Sequence, residues 1–85
     1  MASGPEGWFQ SARKNFDRIR ARHSKSNPCS LIEHYTDVIA EATVASVLAA
    51  SGSVTAEHAE KLTRTATRAQ RGAVAACRLG RRGKG

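Results

Sequence analysis

Ala59, Leu62, Ala66, Ala69, Ala73 and Ala76 recur at intervals of three and four, the spacing that lines one face of an α-helix. A face made mostly of methyl groups lets a neighbouring helix come close but supplies little bulk of its own, so the rest of the chain must provide a partner. Two upstream segments carry matching periodicity. Trp8, Ala12, Phe16, Ile19 and His23 fall on one side of a first helix, with Phe9 beside Trp8, and Leu31, Tyr35, Val38, Ala42, Ala45 and Ala49 form the stripe of a second. Beyond Glu41, the residues Val44, Val47 and Leu48 make that second helix apolar almost all round, and such a segment needs cover on more than one side.

Turn and cap signals separate the three segments. Pro5 suits a first helical turn with Ser3 as its cap, and Ser24, Lys25, Ser26, Asn27 and Pro28 stop that helix. The second opens either on Asn27 with Pro28 just inside it, or on Ser30 with Glu33 three residues later. Ser51, Gly52 and Ser53 end it, Gly52 being able to take a left-handed conformation, and Thr55 then caps the third. The reading is all-α: an antiparallel three-helix bundle with helices at about 5–23, 29–51 and 55–79, a flexible start at 1–4 and a short, flexible basic C-terminal tail at 80–85. A chain of 85 residues is one small domain, with a core that supplies only a few kcal/mol of net stability.

Short turns also set levels. Folding the last two helices about residue 53 places residues whose numbers sum to about 106 side by side, so Glu33, Asp37 and Glu41 run alongside Arg64, Arg68 and Arg71. Folding the first two about residue 26 brings Trp8 and Phe9 to Val44, and helix one is expected to cover the apolar half of helix two and to carry the bulk that the alanine face lacks.

Charge is as unevenly distributed as bulk. Residues 1–27 sum to +4, residues 28–60 to −5 without a Lys or Arg, and residues 61–85 to +8 without an acid, for a net charge of +7. A cationic end attracts anions such as nucleic acid. Opposite the alanine face lie Arg64, Arg68, Arg71, Arg78 and Arg82, with Arg81 and Lys84 completing the basic end. Aligned guanidiniums can displace counterions from successive phosphates, each gripping one with a planar fork. On helix one, Arg13, Lys14, Arg18, Arg20 and Arg22 form a secondary basic face. The expected function is that of a small non-enzymatic protein binding the phosphate backbone of nucleic acid without a cofactor. The alternative is a protein-interaction module, an adaptor, inhibitor or assembly factor that docks on an acidic protein or self-associates through helix two as a homo-oligomer. A plainer account of the ridge competes with both, because cations favour helix C-termini and acids precede bases along these helices.

Other chemistries find little support in the residues. Both helices flanking Gly52 exceed twenty residues and the second begins acidic, unlike a helix-turn-helix reader of the major groove. The helical spacing of Trp8, Phe9 and Phe16 reads as core rather than as base-stacking groups. His23, His34 and His58 lack the spacing that converges on zinc, and no nucleophile, base and acid fall into a pocket that a sequence can define. No apolar run approaches the length of a membrane span. Where membrane-surface binding calls for large apolar side chains, helix three offers alanine. No secretory signal is visible, so the expectation is a cytoplasmic protein. Cys29 and Cys77 share a level across the hairpin, yet reduced thiols are the expectation in that compartment.

Overall fold

A computed structural model of the chain describes residues 4–22 and 27–83, with 81–83 as backbone alone. Three helices follow one another: α1 (Pro5–Arg22), α2 (Pro28–Leu48) and α3 (Val54–Gly83). They pack as an antiparallel three-helix bundle with no strand among the described residues. Ser3, His23, Ser24, Lys25, Ser26 and Lys84, to which the sequence assigned roles, lie outside the described residues, as do the side chains of Arg81 and Arg82.

The helix ends show which local signals won. Asn27 caps α2, its side-chain oxygen accepting from the Cys29 N–H at 2.9 Å with Pro28 next in line, while Ser30, the rival cap, donates its hydroxyl to the Asn27 carbonyl. At the start of α3 the expected cap is displaced by two residues. Ser53, not Thr55, accepts from the Ala56 N–H through its hydroxyl oxygen at 3.1 Å, and its carbonyl accepts from Glu57. Helix α2 ends earlier than expected, at Leu48, because the Ala49 backbone is already extended, and Gly52, at φ +81°, turns the chain into Ser53. Helix α3 runs four residues beyond its expected end at 79 and takes in the first part of the segment read as a tail.

Cross-helix contacts agree with the hairpin register. The Gln70 side-chain amide donates to the Ile32 carbonyl at 3.2 Å and to the Thr36 hydroxyl at 2.7 Å, and Phe16 and Tyr35 meet with ring centroids 6.2 Å apart. At that register Leu31, Tyr35 and Val38 of α2 stand level with Ala73, Ala69 and Ala66 of α3, whereas Leu62 stands level with Ala42. Large side chains therefore meet methyl groups across the α2–α3 seam, an alternation that fills space without forcing the axes apart. Tyr35 and Val38 are the largest fully buried side chains, so α2 shares the task of supplying bulk with Phe16 and Ile19 of α1.

Trp8 departs from expectation. It is 43% exposed, and Val44, which it was to cover, is half exposed too. Each step of four residues along a helix rotates the side chain by about 40°, so moving back eight residues from buried Phe16 swings Trp8 about 80° off the core direction, whereas moving back seven costs only about 20°. Phe9, not Trp8, consequently packs on the core. The same drift acts at the far end of α3. Cys77 is buried and Ala76 exposed, since a straight helix follows a period of 3.6 rather than 3.5.

Buried Cys77 is also bonded. Contrary to the expected free thiols, Cys29 and Cys77 form a disulfide with their Cα atoms 4.9 Å apart, joining the first turn of α2 to the last part of α3 across 48 residues of sequence. In a domain with so alanine-rich a core, a crosslink of that span is a large share of total stability, about 2–4 kcal/mol by chain-entropy reasoning. Replacing both cysteines with Ser should lower unfolding free energy by about that amount, and thermal melts of wild type with and without reductant check it; coincident melts would show that the bridge contributes nothing. Phe16→Ala should cost about 3–5 kcal/mol but Trp8→Ala about 1 kcal/mol or less in chemical denaturation, and equal costs would mean that Trp8 is core after all.

Candidate nucleic-acid interface

Where the acids go decides what the arginines can do. Glu41 turns away from α3: its carboxylate accepts from the Ser11 hydroxyl at 2.6 Å and from the Asn15 amide at 2.9 Å, both on α1. Asp37 borders a depression on the α1–α2 side, together with His34, Asn15, Arg18 and Arg22. Asp37 and Glu41 therefore lie along α1 and not along the arginine ridge, and Glu33 is exposed, which corrects the expected pairing with Arg64, Arg68 and Arg71. The physical reason is the width of α2's buried stripe. Ile32 and Thr36 take the positions facing α3, and Glu41, five residues after Thr36, is turned about 140° from it and so faces the opposite seam.

Among the described residues no carboxylate comes within 4 Å of Arg64, Arg68, Arg71 or Arg78, and the ion pair found there is Arg13–Asp17 on α1, at 3.6 Å and solvent-exposed. Exposed pairs of that kind contribute at most about 1 kcal/mol. All four ridge arginines are exposed, but they do not form one row. Arg64 leans toward α2, sharing a shallow hollow with Glu60, Thr43 and Ser46, while Arg68 leans toward α1. Arg78 lies past the disulfide on the final six residues of α3, an extension of about 9 Å beyond the bridge.

Between α1 and α3, which meet at few points, runs an open groove made of two adjoining depressions of about 400 and 650 Å³ that share Phe16, Arg20 and Thr65. Its walls carry Arg13 and Arg20 from α1 and Lys61 and Arg68 from α3, and no carboxylate lines it. The floor is apolar, with Phe9, Phe16 and Leu62 at one end and Tyr35 and Ala69 at the other. Phe9 is held by His58, ring centroids 5.7 Å apart, and the Arg20 guanidinium sits 5.7 Å from the centre of the Phe16 ring. The structure thus divides the secondary basic face: Arg13 and Arg20 join the ridge across the groove, Arg18 and Arg22 point to the α1–α2 side beside Asp37, and Lys14 is exposed away from both depressions. Lys61 was missed by sequence reasoning. Its position seven residues before Arg68, which keeps it on nearly the same helical face, is the signal that could have found it.

Tyr35 beneath this groove is 1% exposed. Burial raises its hydroxyl above the ordinary tyrosine value, and the positive charge of Arg20 offsets part of that rise. No group of three or more His, Cys, Asp or Glu side chains comes together to hold a metal ion among the described residues, and no helix is long and apolar enough to cross a membrane. Comparison with known protein families, with curated proteins and with solved structures finds no match to this chain.

The raised Tyr35 value has a definite sign in stability. Above about pH 10 the unfolded tyrosine loses its proton while the folded one keeps it, so the folded state binds more protons and stability falls as pH rises. Tyr35→Phe should remove that component. Urea denaturation of both proteins between about pH 9 and 11.5 should show the wild type losing stability more steeply by up to about 1.4 kcal/mol per pH unit, and parallel pH profiles would refute the assignment.

Proposed function

We propose that this chain is a non-enzymatic module that binds nucleic acid through its phosphate backbone, using Arg13, Arg20, Lys61 and Arg68 on the groove walls, with exposed Arg71 and Arg78 on α3 and the positive charge that the sequence adds at Arg81, Arg82 and Lys84. One observation carries the reading: cations from two helices converge on a groove that no carboxylate lines, and of them only Arg13 shares its charge, with exposed Asp17 on its own helix. Charge placed solely to complement helix dipoles would sit at helix C-termini. Arg13, Lys61 and Arg68 instead lie in the middle or first half of their helices, where the dipole gives no reason for them. Arginine supplies paired donors for phosphate oxygens, and release of condensed counterions drives association without regard to base sequence. The groove floor is too buried for base stacking on Phe16 or Tyr35, which favours backbone contact over readout of bases.

The groove cations lie on the α1–α3 side, with Arg68 about two and a half turns from Cys77. Binding is therefore expected with the bridge closed and, under reducing conditions that would open it, with the thiols free.

Changing Arg20 and Arg68 together to Gln should leave the melting temperature nearly unaltered, because both side chains are exposed, and should weaken binding to DNA or RNA of any sequence. A plot of log affinity against log salt should flatten by about two units, near 0.9 for each phosphate that is no longer neutralised. Absence of any wild-type retention on single- or double-stranded DNA or RNA at about 50 mM salt would end the proposal, and an acidic protein would then be the partner to seek.

A further inference from the structure

The two halves of the α1–α3 groove are not equivalent. Near Phe9 and His58 its cations have acids for neighbours: Asp17 pairs with Arg13 at 3.6 Å, and exposed Glu57 stands one turn before Lys61 on α3. The other half, a hollow of about 650 Å³, has Arg20 on one wall and Arg68 on the other. No carboxylate lies within 4 Å of either among the described residues, and the sequence holds no acid after Glu60. Gly72 lines this half too, one turn beyond Arg68. A glycine inside a helix lowers its stability relative to alanine, and packing does not demand one here, since a Cβ at position 72 would meet no atom within 4 Å. Its missing side chain leaves the hollow open. On the opposite wall the Arg20 guanidinium lies over the Phe16 ring, 5.7 Å from its centre, where the ring face attracts it. A guanidinium held in this way and still exposed is a platform for an unpaired base, because bases stack on arginine planes as they do on aromatic rings.

We infer that this half of the groove seats one unpaired strand of nucleic acid, a phosphate held by Arg68 and a base laid on Arg20, with the strand passing over the bare backbone at Gly72. The inference rests on the phosphate-binding reading above and narrows it to single strands. Charge alone would choose the duplex, which carries one phosphate per about 1.7 Å of axis, twice the density of either strand. The lining of the hollow opposes that choice. In a duplex the bases are stacked inside, so a hollow receives chiefly phosphate oxygens, and these gain nothing from an apolar floor of Phe16, Tyr35 and Ala69. An unpaired strand brings sugars and base faces as well. They bury apolar surface against Ala69, Gly72 and the methylene stems of Arg20 and Arg68. Every base has a stacking face, so the seat does not select a sequence.

Fluorescence anisotropy with a labelled DNA of about 15 nucleotides and mixed sequence, used alone and hybridised to its complement at about 50 mM salt, tests the seat. Wild type should bind the single strand about tenfold more tightly than the duplex. G72L, which fills the hollow and removes no charge, should weaken single-strand binding about tenfold and abolish the preference, and R20K, which keeps the charge but loses the planar guanidinium, should weaken it about threefold. Circular dichroism confirms that each variant is folded, and G72A should melt about 2–8 °C above wild type. A wild type that binds duplex as tightly as single strand, or more tightly, overturns the inference and leaves backbone binding standing. So does a single-strand affinity that neither G72L nor R20K changes, and so does a G72A that melts below wild type, which would make Gly72 a requirement of the fold. Retention of neither probe overturns both this inference and the function on which it rests.

Discussion

The contact on which the rest of this molecule depends is the seam between α2 and α3, where Leu31, Tyr35 and Val38 stand level with a column of alanines. Methyl groups on one side let the axes approach, and the branched and aromatic side chains on the other fill the space between them. That arrangement leaves α2 as the central element. Helix α1 then packs on α2 through Ala12, Phe16 and Ile19 and through the polar link from Ser11 and Asn15 to Glu41, and has little left to offer α3. The α1–α3 groove is thus a consequence of core packing and not a separate feature. Because the seam buries few large side chains, the crosslink between Cys29 and Cys77 closes it at the end where α2 begins.

Placing the acids follows from the same geometry. With Ile32 and Thr36 turned to α3, Asp37 and Glu41 are turned to α1. Glu41 serves as a hydrogen-bond acceptor for two neutral side chains, which ties the two helices together without neutralising any arginine. Dipole complementarity accounts for Glu6, Arg20 and Arg22 on α1 and for Glu57 on α3, but α2 has neither an acid in its first turn nor a base in its last. The charge pattern along the chain is therefore only partly a matter of helix stability, and the cations left over, Arg13, Lys61 and Arg68, are those on the groove.

The molecule is in consequence polarised along its length. At one end Val47, Leu48 and Val54 are exposed beside the acids Glu6 and Glu57, whereas the cations lie on the flank and toward the far end of a helix that is 30 residues long.

Periodicity and turn chemistry determined the number of helices, their order, most of the buried stripe and the hairpin register. Those features rest on local rules of 3.6 residues per turn, Pro and Asn at a helix start and Gly at a positive φ, which act on neighbours in sequence. The same register placed Cys29 and Cys77 at one level, and Arg64, Arg68, Arg71 and Arg78 could be read as an outward face. What only the tertiary structure decided are quantities that turn on a few tens of degrees. Counting in steps of four put Trp8 on the buried stripe with Phe9 beside it; the accumulated rotation keeps Phe9 on the core and turns Trp8 outward. An acidic flank at i, i+4, i+8 can face either neighbour, and Ile32 and Thr36 had to be seen against α3 before Glu41 could be assigned to α1. Bringing Arg20 and Arg68 to one groove, with Lys61 beside them, depended on how far α1 stands from α3, a distance set by the bulk of Tyr35 and Phe16 between them and written in no single helix.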